Sequence, residues 1–135
     1  MNKRALNQLA YDIVGICIEV HKTLGPGLLE SIYEDALCYE LDKANIFHER
    51  QKSLPVIYKG KTLKSRFVLD LVVNDMIILE LKSVKKLAPI YSAQLLTYMK
   101  LSKIPKGLLI NFNVMNIAKE GYFPFVNSYF EMLDD

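Results

Sequence analysis

Leu6, Leu9, Ala10, Ile13, Val14, Cys17, Val20 and Leu24 recur at helical spacing, with His21 in the same stripe, and predict a first helix running to about Thr23 with that stripe buried. Leu24-Gly25-Pro26-Gly27 stops it, because glycine and proline do not sustain a helix. A second helix is expected after Gly27, burying Leu29, Ile32, Tyr33, Ala36, Leu37 and Leu41 and ending near Ala44-Asn45. From Phe47 to Tyr58 the chain reads as a strand punctuated by Pro55, which turns at Lys59-Gly60-Lys61. Two apolar runs follow, Phe67 to Val73 and Met76 to Val84, separated by the turn formers Asn74 and Asp75, and their Val, Ile, Leu and Phe content marks both as strands. Pro89 opens a helix through about Ser102, and Leu108 to Phe112 is a continuous apolar run of the kind an interior parallel strand carries. A short aromatic tail begins at about Tyr122. The order helix, helix, three strands, helix, strand predicts a single mixed α/β (α+β) domain over residues 1–135, with a central mixed sheet of four to five strands flanked by helices.

Three charged residues interrupt the two apolar strands: Asp70 in the first, Glu80 and Lys82 in the second. Strand alternation puts Phe67, Leu69, Leu71 and Val73 on one face and Val68, Asp70 and Val72 on the other; in the second strand Ile77, Leu79 and Leu81 oppose Ile78, Glu80 and Lys82. A two-residue turn at Asn74-Asp75 would pair Asp70 with Leu79 and mix charged with apolar faces. A three-residue connection pairs like with like and gathers Asp70, Glu80 and Lys82 on one face. The two carboxylates then stand opposite, at about 5 Å between Cβ atoms, or diagonal at about 7 Å. Carboxylates that close repel one another and persist as a pair where positive charge accompanies them. Lys82 supplies part of it, and a hard, oxygen-liganded ion such as Mg²⁺ or Mn²⁺ supplies the rest. Lys82 could then orient or deprotonate a metal-bound water as it attacks a phosphorus centre. On an arbitrary hairpin the same residues would form a solvated face with Lys82 paired to an acid, so other parts of the chain must carry the distinction.

The 135 residues, 51% of them hydrophobic, suit one domain with its own core. Charge breaks every apolar stretch well short of the roughly 20 residues a membrane span needs, and MNKRALNQLAYD lacks the apolar block of a secretory signal; a cytoplasmic protein without membrane association is expected. Cys17 and Cys38 sit among apolar residues with no CxxC or Cys/His spacing, which predicts reduced core thiols and neither zinc nor a disulfide. A net charge of +2 does not by itself announce a nucleic-acid binder. Locally, however, Lys59, Lys61, Lys64 and Arg66 flank the first carboxylate strand and Lys82, Lys85 and Lys86 close the second, a basic rim beside an acidic site.

Asp70 followed by Glu80-Leu81-Lys82 on the next strand resembles the core motif of the PD-(D/E)XK nuclease superfamily, with Leu69 where the name has Pro. Gly27-Leu28-Leu29-Glu30-Ser31-Ile32-Tyr33 matches the pattern that names the GxxExxY family, a bacterial and archaeal group within that superfamily. VHKTLGPGLLE, LPVIYKG, AQLLTYMKLS and GLLINFN are similar to that family too, so the resemblance runs roughly from Ile13 to Gly121. It implies a PD-(D/E)XK nuclease-like core and metal-dependent phosphodiester hydrolysis of nucleic acid, DNA rather than RNA. The alternative is a catalytically silent module of the same fold that binds nucleic acid or a protein partner.

In that reading Asp70, Glu80 and the Leu81 carbonyl hold Mg²⁺ or Mn²⁺, and Lys82 positions the attacking water. Glu30, which as a first-turn residue also suits the helix dipole, joins the metal site directly or through water. Tyr33 either hydrogen-bonds to the site or fills core. Gln94 shares a helical stripe with Tyr91, Tyr98 and Leu101, which turns an amide inward; there it either bonds to backbone or, as in some superfamily members, contacts the metal-bound water or a phosphate. Tyr91 stands three residues before Gln94, where relatives often carry His. His21 is a buried histidine or a further catalytic candidate, and Lys64, Arg66 and Lys85 are candidate substrate contacts. The C-terminal aromatics Tyr122, Phe123, Phe125, Tyr129 and Phe130 pack either a homodimer interface or their own core.

Overall fold

Asn2 starts the first helix: its side chain accepts the Ala5 N–H at 2.8 Å, one of the donors a helix start leaves without a partner. In the computed structural model, which describes residues 1–135, α1 runs Lys3–Leu24 and α2 runs Glu30–Lys43. They are followed by β1 (His48–Tyr58), β2 (Lys61–Val73), β3 (Ile77–Lys82), α3 (Pro89–Ser102) and β4 (Lys106–Asn111). The expected order therefore stands through β4. What was expected as an aromatic tail is a short helix α4 (Ile117–Glu120), a fifth strand β5 (Tyr122–Val126) and a last turn α5 (Ser128–Glu131).

The strands form one sheet in the order β1-β2-β3-β4-β5, with β3 and β4 parallel and the other neighbours antiparallel. β4 is buried along its whole length, as its continuous apolar run requires. The β2–β3 connection has three residues: Val73 pairs with Ile77 and Leu71 with Leu79, leaving Asn74, Asp75 and Met76 in the turn. Asn74 and Asp75 take φ +52° and +54°, a conformation Asn and Asp tolerate better than most residues.

α1 and α2 cover one face of the sheet, where Leu6, Ile13, Tyr33 and Leu37 meet Leu71, Val73, Leu79, Leu81 and Ile110. α3 covers the other, packing Leu95 and Met99 against Phe67, Leu69, Val72 and Ile78. Gly107 lets it approach closely, since a Cβ there would lie 2.8 Å from the Met99 Sδ. The expected alternation of β2 is corrected here. Phe67 and Leu69 face α3, whereas Leu71 and Val73 face α1 and α2, so the strand changes hand at Asp70. The α2 stripe is also shifted: Leu29 and Ile32 are exposed, while Glu34 and Cys38 are buried beside Tyr33, Leu37 and Leu41. Arg50 and Gln51 make the inward turn of Glu34 possible by satisfying its carboxylate.

Among the C-terminal aromatics, Tyr122 and Phe130 pack on the α1/α2 side of the core and Phe125 on the α3 side. No helix is long and apolar enough to cross a membrane.

Candidate active site

β2 and β3 pair from Val73/Ile77 to Leu71/Leu79 and then part. At the next step Asp70 stands opposite Glu80, and side chains take over the ladder. The Leu81 N–H donates to Asp70 Oδ2 at 2.9 Å, and the Asp70 N–H donates to Glu80 Oε1 at 3.3 Å. Each acid is thus held by the other strand's neighbourhood. Across β2, Gln51 of β1 carries φ +47°, and the regular β1–β2 pairing passes from Arg50/Leu71 to Lys52/Leu69. This kink accompanies the change of hand at Asp70.

Glu80 is only 6% exposed. Burial first, and then the neighbouring Asp70 charge, push its carboxyl up to about 8, with Lys82 and the Asp70 N–H pulling the other way. Such a pair holds a proton or a cation between its oxygens. Hard donors converge here: two carboxylates, together with the Leu81 carbonyl, which points to the same strand edge as the Leu81 N–H. Mg²⁺ and Mn²⁺ bind through one or two carboxylates and keep several waters, so this donor set fits them. Lys82, half-buried, holds its Nζ 4.4 Å from the centroid of the Tyr91 ring, a cation–π contact that limits where the amine can swing.

A cleft of about 220 Å³ opens beside the pair, lined by Glu30, Ser31, Glu34, Gln51, Asp70 and Leu81. Glu30 shares this cleft, yet no three carboxylate, histidine or cysteine groups come together at metal-binding separation. Glu30, expected to join the metal site directly or through water, has its Oε2 accepting the Ser83 N–H at 3.1 Å, while Ser83 Oγ donates to the Leu28 carbonyl at 2.6 Å. These bonds tie the start of α2 to the end of β3.

The other candidates are dispersed. Gln94 is exposed, not turned inward; the buried positions of α3 are Leu95 and Met99, with Tyr91 and Tyr98 beside them, one residue out of step with the expected stripe. Tyr33 is fully buried, stacked on Phe112 at 4.2 Å. Its hydroxyl donates to the Gly25 carbonyl at 2.6 Å and accepts the Leu28 N–H at 3.1 Å, so it fastens the loop before Glu30. His21 is a buried histidine whose Nε2 lies 2.8 Å from the Val114 carbonyl. Lys64 and Lys85 are exposed. Arg66 is exposed but occupied, donating from Nε to Ser53 Oγ at 2.8 Å and from Nη2 to the Ser53 carbonyl at 3.0 Å.

Sequence reading missed Glu34, Arg50, Gln51 and Asn111. Glu34 accepts from Arg50 and from Gln51 Nε2 at 2.7 Å, walling the cleft opposite Asp70. Asn111 accepts the Val84 N–H at 3.1 Å and donates to the Val84 carbonyl at 3.0 Å, fixing the chain just past Lys82. The spacing of Glu30 and Glu34, one helical turn apart, was the available signal for the first of these. A larger groove of about 450 Å³, lined by Ala10, Val14, Ile18, Leu108, Tyr122 and Pro124 among others, is apolar and lies apart from both carboxylates.

No curated protein matches the chain. The crystal structure of SSO0001 matches with a TM-score of 0.51 and 20% identity over 76% of this chain and 55% of that one, so this chain spans about half the length of that protein; the likeness is one of fold. The family model of the PD-(D/E)XK nuclease superfamily matches residues 7–122, a range that includes the splayed strands, both acids and Lys82. With a model covering that much of the sequence, the chain belongs to the PD-(D/E)XK nuclease superfamily.

Proposed function

We propose that this domain hydrolyses phosphodiester bonds in nucleic acid, with DNA as its substrate, at the Asp70–Glu80–Lys82 centre, and that within the superfamily it is of the GxxExxY type. The observation that carries the reading is the interlock of Asp70 and Glu80 where β2 leaves β3, with the Lys82 amine alongside. Asp70, Glu80 and the Leu81 carbonyl would hold Mg²⁺ or Mn²⁺. When bound, the ion polarises the scissile phosphate and lowers the pKa of a bound water. The Lys82 amine, steadied by the Tyr91 ring, orients the attacking water and stabilises negative charge developing on the phosphate. Glu30 anchors Ser83 and lines the cleft beside the acid pair.

Each residue of the GxxExxY pattern has a physical task here, which supports that finer assignment: Gly27 adopts φ +93°, Glu30 binds the Ser83 N–H, and the Tyr33 hydroxyl closes the Gly25–Leu28 loop. Two buried thiols, Cys17 and Cys38, both unpaired and pushed up by burial to about 12 and about 11, suit a reducing cytoplasm. The rival reading, a silent module that only binds, is favoured by the engagement of the Glu30 carboxylate with the Ser83 N–H.

One set of assays separates them. Purified protein should bind Mn²⁺ by calorimetry and cut DNA in Mn²⁺ or Mg²⁺ but not in EDTA. Asp70→Ala and Glu80→Ala should abolish both properties with little loss of folding, whereas Lys82→Ala should retain metal binding and lose at least about 100-fold in turnover. Absence of metal binding by the wild-type protein overturns the mechanism, and DNA binding that tolerates EDTA and Lys82→Ala without any cleavage favours the silent module.

A further inference from the structure

β2 extends well past its partner β3, and with β1 it leaves the body of the protein as a two-stranded ribbon. All ten residues from 57 to 66 are exposed, including the apolar Ile57, Tyr58 and Leu63. The strands remain paired along this stretch, with Tyr58 opposite Lys61 and Pro55 opposite Arg66, and Lys59-Gly60 turns with φ +48° and +80°. A solvated two-stranded ribbon has little of its own to bury, and such ribbons are marginal in isolation. Arg66 reinforces it by spanning to Ser53.

Charge is concentrated there. Between Ser53 and Leu69 the chain carries four basic residues, Lys59, Lys61, Lys64 and Arg66, and no acid. The rest of the sequence holds thirteen basic residues against fifteen acidic ones, so the modest overall charge of +2 conceals a positive arm on a slightly negative body. The pairing shifts register between the Pro55/Arg66 and Ile57/Thr62 pairs, so Lys64 lies at an irregularity of the ribbon. Between the Lys52/Leu69 and Tyr58/Lys61 pairs β1 advances six residues and β2 eight, so at about 3.4 Å per β1 residue the ribbon tip stands about 20 Å beyond Leu69, within one turn of duplex DNA at about 34 Å.

We propose that the free end of the β1–β2 ribbon, residues 57–66, is a docking arm for duplex DNA, laid in the major groove within one turn of the Asp70–Glu80 centre. This rests on the proposed function for its orientation toward that centre. The major groove of B-form DNA admits a two-stranded β-ribbon. Lys59 and Lys61 at the turn and Lys64 along the ribbon meet phosphates, and the exposed Tyr58 and Ile57 give the ribbon an apolar surface against the groove. An arm-to-arm contact with a second copy of this chain is disfavoured, because it would bring two positive ribbons together.

Binding is measured in EDTA, so that no cleavage or metal ligation enters the result. A fluorescent duplex of about two turns is titrated at several salt concentrations with wild-type protein and with the triple variant Lys59→Asn, Lys61→Gln, Lys64→Gln, in which Asn suits the left-handed conformation at 59. The variant should bind at least ~10-fold more weakly, and its log–log salt slope should fall by about 2 to 3. Lys61→Arg with Lys64→Arg should restore wild-type affinity, which shows that charge and not ribbon folding was lost. Affinity of the wild type should drop once the duplex is shorter than about one turn. An unchanged affinity and slope in the triple variant overturns the proposal, as does equal binding of an A-form RNA duplex, whose major groove is too deep and narrow for a ribbon. A variant that alters the oligomeric state while leaving DNA affinity intact also overturns it, in favour of a self-association arm. Ribbon-dependent binding without any cleavage keeps this proposal and removes the nuclease reading; cleavage with ribbon-independent binding does the reverse.

Discussion

Glu80 determines how the protein responds to pH and metal. Its carboxyl is raised from an ordinary 4.5 to about 8, so folding takes up a proton across that interval. The native state binding the extra proton means that metal-free stability falls as pH rises from the ordinary glutamate range through about 8, by an amount on the order of a few kcal/mol. A cation replaces that proton, and its stabilising effect should therefore grow with pH. Thermal melts should show Mn²⁺ raising the Tm by about 5 °C more at about pH 8.5 than at about pH 6. Glu80→Gln should make the metal-free protein more stable at the higher pH while erasing the metal shift; an equal Mn²⁺ effect at both pH values would refute the shared-proton picture. Asp70, Glu80 and Lys82 were legible in the sequence because each is a charge set into an apolar strand. Gln94 was misread because a helical stripe inferred from three aromatic or apolar neighbours is uncertain by one position. Gln51 and Glu34 left little trace, since their bond joins residues 17 apart on different elements.

The β2–β3 hairpin was the element best read in advance, because a slip of one residue would have put Leu79 opposite Asp70. Strict alternation was the wrong assumption for β2, and the reason lies on β1: a residue with positive φ at Gln51 kinks the pair where Asp70 turns. Nothing in the local composition of ERQKS signals that conformation. The α1–α2 loop is the other element that shapes the site. Tyr33 holds it by two hydrogen bonds from a fully buried ring, so Tyr33→Phe leaves the Gly25 carbonyl and Leu28 N–H without that partner. Denaturant unfolding should register a loss of about 1 to 3 kcal/mol. Metal affinity should fall much less, because Glu30 remains bound to Ser83 and the Asp70–Glu80 pair is not touched. A loss of metal binding equal to that of Glu80→Ala would mean that the loop itself contributes a ligand.

The order of elements and the interior parallel strand were recoverable because β4 is apolar at nearly every position, and only a strand covered on both faces needs that. β5 was taken for tail because Pro124 and the scattered aromatics obscure its pairing, which runs from Val126 opposite Lys106 to Tyr122 opposite Ile110. Across the sheet, protection from solvent is uneven. β3 and β4 lie inside, whereas the outer half of the β1–β2 ribbon is exposed. Hydrogen exchange should accordingly find amides at 57–66 opening with little free energy and those of Leu71 to Val73, Ile77 to Leu81 and Leu108 to Ile110 opening only with global unfolding; slow exchange at the ribbon tip would contradict this gradient. β2 passes through the whole gradient within thirteen residues, and Asp70 sits at the crossing. One continuous strand therefore joins a solvent-facing end to a clamped one, and the carboxylate lies where the clamped end takes up its pairing with β3.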